Sequence, residues 1–243
     1  MNRRLVALAA IGALCCSVRV ADAQSAMPAM PTGAMPVKAS PTPAPSPNAA
    51  EAAFLKKVMT DLPKRYGTTA AATAAGYVRY SNEDRTGAIS WVNTKYWDTT
   101  DPSHPAQLWY DAQGRLIGAD FSVPQAESST GKPTRFGIDA SRWDTIGAHV
   151  HYVEKGPGGT LLYGKAVGAK KYGAANNGST SPTAEGLVAT GAVKDASQVA
   201  FVFLYPAIYD VSVWVIPNPL GQFADKNPNV KPSASAGKGE DSM

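Results

Sequence analysis

The chain has 243 residues, a formal net charge of +4, three histidines and two cysteines, Cys15 and Cys16. Both cysteines fall inside an N-terminal segment that reads as a leader. Its removal leaves no thiol and so excludes disulfides, thiolate ligands and cysteine nucleophiles. No run of lysine or arginine is present, which argues against nucleic acid as a partner, since that needs a concentrated basic face.

Arg3 and Arg4 form a positive start, Leu5 to Cys16 an apolar run, and Ala21-Asp22-Ala23 a small-residue cleavage site before Gln24. These three parts predict a signal peptide over residues 1–23 and an exported protein, periplasmic or extracellular. The apolar run is shorter than the roughly 20 residues a membrane helix requires, so no span is expected after cleavage. Arg3, Arg4, Arg19 and Asp22 leave with the leader, bringing the mature chain closer to neutral.

Residues 24–48 alternate proline with alanine, serine and threonine, a composition that stays solvated and predicts a disordered linker. Met27, Met30 and Met35 lie in it; thioethers on an exported arm either hold Cu(I) or are incidental. Residues 49–225 are expected to form a single domain, followed by a disordered tail over 226–243 that is rich in proline, serine, glycine and charge.

The domain opens with a helix. Asn48 is a candidate N-cap, Glu51 completes a capping box, and Phe54, Leu55, Val58, Met59 and Leu62 recur at helical spacing, with Pro63 as the expected stop. Thr68 to Ala75, halted by Gly76, predicts a second short helix. Strands follow over residues 88–92, 107–111 and 115–123, the last two joined as a hairpin through Ala112-Gln113-Gly114. Residues 148–154 and 160–167 flank Gly156-Pro157-Gly158-Gly159 as a second hairpin. Pro182 suggests a short helix after it. The apolar stretch over 199–216 is broken by Pro206 into two strands or one bent strand. The order predicts an α+β fold, N-terminal helices followed by a mainly antiparallel β-sheet domain, with one main sheet.

The chemistry centres on His149-Val150-His151. In a strand, residues i and i+2 share a face, so the two imidazoles project side by side and offer two nitrogens to a divalent metal or copper ion. A third ligand is sought among His104, Asp120, Glu154 and Asp210. The alternative is a pair of histidines that are merely hydrogen-bonded or solvated. No Gly-x-Ser-x-Gly elbow, phosphate loop or dinucleotide fingerprint occurs, and no catalytic residue is assigned. Carboxylates such as Glu83, Asp84, Asp98, Asp101 and Asp120 either pair for acid–base work or sit solvated in loops. The dense aromatics fill a sheet core or line a pocket.

Two stretches are distinctive. Gly87-Ala88-Ile89-Ser90-Trp91-Val92-Asn93 is followed by Asp101-Pro102-Ser103-His104-Pro105 and by Gly114-Arg115-Leu116-Ile117-Gly118-Ala119-Asp120-Phe121. Tyr209-Asp210-Val211-Ser212-Val213-Trp214 precedes Asn218-Pro219-Leu220-Gly221-Gln222-Phe223-Ala224-Asp225-Lys226-Asn227-Pro228. They resemble a family of exported bacterial proteins marked by the C-terminal Asn-Pro-x-Gly-x-Phe-Ala-Asp-x-Asn-Pro motif. Members often carry histidine where this chain has Ser90 and Ser212, whereas His104 matches. The resemblance implies one compact exported domain and supplies no reaction. The motif itself reads as a closing loop with Phe223 as its anchor, or else a lid.

The expectation is an exported domain that binds a metal ion or small ligand through His149 and His151. The competing readings are a metal-dependent enzyme using the same pair and a non-catalytic envelope protein.

Overall fold

The structure, a computed structural model, describes residues 43–128 and 131–238. The leader, most of the linker and the three linker methionines lie outside the described residues. Among the described residues no helix is long and apolar enough to cross a membrane.

The chain is α+β. Helix α1 (Ala49–Tyr66) starts at Asn48, whose side chain accepts from the Glu51 backbone while Glu51 reaches back to the Asn48 backbone, the reciprocal pairing the sequence predicts. Pro63 does not end it. The helix runs one further turn, which brings Tyr66 onto the core, and ends at Gly67, where a Cβ would lie 2.4 Å from the Pro63 carbonyl oxygen. Helix α2 (Thr69–Ala74) is capped by the Thr68 hydroxyl.

Among the described residues nine strands follow: β1 (Val78–Glu83), β2 (Ile89–Val92), β3 (Gln107–Tyr110), β4 (Leu116–Pro124), β5 (Asp144–Ile146), β6 (His149–Lys155), β7 (Leu161–Gly168), β8 (Val199–Tyr205) and β9 (Ile208–Trp214). Between β7 and β8 lie α3 (Ala169–Ala175) and α4 (Ala184–Ala189). The strands form two antiparallel sheets in place of the single one expected, six strands in the order β1-β2-β3-β4-β9-β5 and three in the order β7-β6-β8. Pro206 is the cause. It cannot donate to a ladder, so the apolar run splits, with β8 joining the smaller sheet and β9 the larger.

Alternation decides which face of the larger sheet is wet. Leu108, Tyr110, Ala119, Phe121, Val123, Val211 and Val213 point to one side, where Phe54, Leu55, Val58 and Leu62 of α1 cover them. Each such buried side chain contributes roughly 1.5–3 kcal/mol. Ser90, Trp109, Asp120, Asp210 and Ser212 point to the other side. The smaller sheet is covered on both faces. Val150, Tyr152 and Val167 pack under Tyr172 of α3 and Leu187 of α4, while Val153, Phe203 and Tyr205 meet Tyr80 of β1.

Both ends of the described chain are more ordered in their contacts than composition suggests. The Ala44 amide donates to the Leu220 carbonyl at 2.7 Å. In the expected tail, Val230 is buried with Ala88, Ile117 and Trp214. The Ser233 amide donates to Glu83 Oε1 at 2.7 Å, and Gly237 donates to the Glu83 carbonyl. The domain therefore extends beyond residue 225, because a single valine with backbone partners anchors an otherwise polar segment. The Asn-Pro-x-Gly-x-Phe run closes on itself: Asn218 donates to the Lys226 carbonyl, Asn227 to the Pro217 carbonyl, and Trp214 Nε1 to the Ala224 carbonyl at 2.6 Å.

Candidate functional site

The wet face of the larger sheet is the floor of a cleft of about 720 Å³. Trp109, Tyr205, Trp214 and Phe223 give it apolar walls, and Asp84, Asp120, Asp144, Asp210 and Asp225 line it with carboxyls. Among the described residues the one cationic side chain in the lining, Arg142, is already engaged: its Nε lies 3.1 Å from Glu51 Oε1 and its guanidinium sits 4.6 Å over the Phe223 ring. The cleft is therefore acidic.

Two of these carboxyls are buried. Asp120 on β4 stands opposite Ser212 on β9, and Ser122 stands opposite Asp210. Each serine donates across the ladder, Ser212 Oγ to Asp120 Oδ1 at 2.8 Å and Ser122 Oγ to Asp210 Oδ1 at 2.6 Å. Trp109 Nε1 adds a bond to Asp120 Oδ2 at 2.7 Å. Trp109 reaches it because it lies flat over Gly118, where a Cβ would stand 2.2 Å from the ring.

The two carboxyls are diagonal neighbours across the ladder, so that each bears on the other's titration. Burial pushes Asp120 up to about 7 against the hydroxyl and indole donors that favour its charge, with Asp84 adding repulsion. Burial, then the Asp120 charge, carry Asp210 well above the ordinary carboxylate range, with Asp144 contributing in the same direction. Both carboxyls therefore hold their protons to higher pH than ordinary carboxylates do.

Behind the cleft wall, Gln107 ties the two sheets. It accepts from the Tyr80 hydroxyl and donates to the Tyr205 hydroxyl at 3.0 Å. Tyr205 lines the cleft with one edge, and its ring stacks on His149 with centroids 4.5 Å apart.

His149 and His151 project from one face of β6, as strand alternation requires, and their Nε2 atoms are 3.0 Å apart. That face is not solvent. Tyr80, Phe203 and Tyr205 enclose the rings. Burial holds His149 below the ordinary imidazole range and pushes His151 down to about 3, the latter with His149 repelling its charge.

None of the expected third ligands joins them. His104 Nδ1 pairs with Asp101 at 3.0 Å beside Tyr96. Glu154 accepts from Gln198, Asp120 accepts from Ser212 and Trp109, and Asp210 accepts from Ser122. Among the described residues no group of three or more histidine, cysteine, aspartate or glutamate side chains is placed to hold a metal. The acid pair was visible in the sequence only as two isolated candidates. Its signal is the Asp-x-Ser of β4 facing the Asp-x-Ser of β9, legible once an antiparallel register is assumed.

No known protein family, no curated protein and no solved structure matches this chain.

Proposed function

We propose that the protein is an exported binding domain for a small organic cation, an amine or quaternary ammonium compound, held in the cleft above the larger sheet. The observation that carries the reading is the buried Asp120–Asp210 pair on the floor of an aromatic-walled cleft whose Arg142 is neutralised by Glu51. A ligand cation displaces a proton from the pair, gains both carboxylates, and rests against Trp109, whose ring face favours positive charge. Ser90 and Ser212, the two positions at which the chain departs from the family it resembles, both line this cleft. Hydroxyls there leave the pocket open and acidic, where imidazoles would narrow it. The leader-like N-terminus supports export.

The test is calorimetric titration with choline, ethanolamine, cadaverine and spermidine, beside glucose and citrate. Binding of an amine is expected, with release of close to one proton per ligand at pH 6 and loss in Asp120→Asn/Asp210→Asn. Heat only with glucose or citrate, unchanged in that variant, overturns the proposal.

A second reading is favoured by the same acid pair. Two carboxyls with separated titrations are the apparatus of acid–base catalysis. It predicts turnover of a bound amine derivative with a bell-shaped pH profile, whereas the binding reading predicts recovery of the ligand unchanged.

A further inference from the structure

The imidazole pair stands apart from the cleft, and its hydrogen-bond geometry leaves something to be explained. His149 Nδ1 lies 2.8 Å from the Gly147 carbonyl oxygen, and His151 Nδ1 lies 3.2 Å from the Lys165 carbonyl oxygen. A carbonyl oxygen only accepts, so both Nδ1 atoms carry their hydrogen. Each neutral ring then presents a bare Nε2 lone pair, and these two lone pairs face one another at 3.0 Å. Two acceptors repel at that distance, and a positive centre between them relieves the repulsion.

A proton is one candidate, and the surroundings oppose it. The rings are packed among Tyr80, Phe203 and Tyr205, and an imidazolium in such a place loses its hydration without gaining a carboxylate. A metal ion is the other candidate, since fixing the Nδ1 hydrogen on a backbone carbonyl is how metal-binding histidines are commonly oriented. The donor count then selects the ion. With two protein nitrogens and no third histidine, cysteine, aspartate or glutamate beside them among the described residues, Zn(II) or Ni(II) lacks its usual ligands. A closed-shell monovalent ion is satisfied by two nitrogens in line. Its single charge is also the less costly one to bury, and the enclosing rings stabilise it.

We infer that His149 and His151 form a two-nitrogen site for a soft monovalent cation, Cu(I), separate from the acidic cleft. Metal–imidazole bonds of about 2.0 Å require the nitrogens to spread to about 4 Å for a linear N–Cu–N unit. That is a movement of about 1 Å, shared between two side chains.

The experiment uses the full chain titrated anaerobically with Cu(I) against a chromophoric competitor, with Ag(I) as a diamagnetic probe for nitrogen-detected NMR. One equivalent is expected to bind. Both Nε2 resonances should shift while both Nδ1 atoms keep their hydrogen, and X-ray absorption should show a two-nitrogen shell. The equivalent should be lost in His149→Gln and in His151→Gln, each checked for a native spectrum. It should persist in His104→Ala and in a Met27→Leu/Met30→Leu/Met35→Leu variant, which removes the thioether arm as the source. Should both glutamine variants fail to fold, the NMR and absorption signatures on the wild type decide. An Nε2 hydrogen on one ring with no shift on adding Ag(I), or retention of the equivalent in both glutamine variants, overturns the assignment. So does Zn(II) binding the pair while Cu(I) does not.

Discussion

Ser122 and Asp210 face each other across the β4–β9 ladder, and the serine hydroxyl donates to the carboxylate at 2.6 Å. One step along, Asp120 and Ser212 repeat the arrangement with the residue types exchanged. Each aspartate thus has a hydroxyl straight across and the other carboxyl on the diagonal, and this places two buried acids side by side on a sheet.

That pair makes stability depend on pH in a defined direction. Its folded titration lies above the unfolded value near 3.9, so the native state holds more protons than the unfolded chain. The contribution is fully present below about pH 4 and is lost as pH rises through about 7. Asp84 and Asp144 add to the repulsion. For Asp120 alone the effect is on the order of 4 kcal/mol. Melting curves of Asp120→Asn/Asp210→Asn, which keeps an oxygen for each serine, are expected to lose most of the decline expected of wild type between pH 4 and 8. An unchanged slope would mean the pair holds no extra proton.

Glu51 carries a different role. Burial raises its titration, yet bonds from Arg142 and from the Asn48 and Asp139 backbone amides outweigh this and leave it lowered. The ion pair with Arg142 is buried on both sides. Removing either partner strands the other charge, so Glu51→Ala and Arg142→Ala should each cost about 3–5 kcal/mol. Urea denaturation of the two single variants and the double should show the double losing far less than the sum.

Gly118 tests how the cleft wall is built. A methyl group there meets the Trp109 ring at 2.2 Å, and that ring is itself packed edge-on against Trp214. Gly118→Ala should destabilise by about 1–3 kcal/mol and release the indole from Asp120. Tryptophan fluorescence should shift to the red, and amine binding should weaken with it.

The tail offers a direct contrast between composition and packing. A chain ending at Asp225 loses Val230 from its cluster with Ala88, Ile117 and Trp214 and leaves Glu83 without its serine partners. The burial lost with Val230 is worth about 2 kcal/mol. Equal melting temperatures for the full and shortened chains would show that the segment contributes nothing.

Local signals carried the fold far. The Asn48–Glu51 capping box, the Ala112-Gln113-Gly114 turn and the break at Pro206 each depend on residues close in the chain, and each is realised. Strand alternation likewise places His149 and His151 side by side. Two sheets in place of one was not legible, because nothing local to residues 199–216 says which partner each half will choose. The acid pair escaped for the same reason. Asp120 and Asp210 could be named singly as possible ligands for the histidines, but only the β4–β9 register turns them toward each other. Trp109 belongs to the aromatics that composition leaves open between core and pocket lining, and it is a cleft wall because Gly118 opposite leaves room for it.

Pro206 and Ala207 alone connect β8 to β9, although the two strands belong to different sheets. A bridge that short leaves no slack for the halves of the molecule to slide or swing apart at this end. Amides of Tyr205 and Ile208 should accordingly exchange with deuterium together, in one opening event, with the wall of the cleft and the enclosure of the imidazoles dissolving at the same moment.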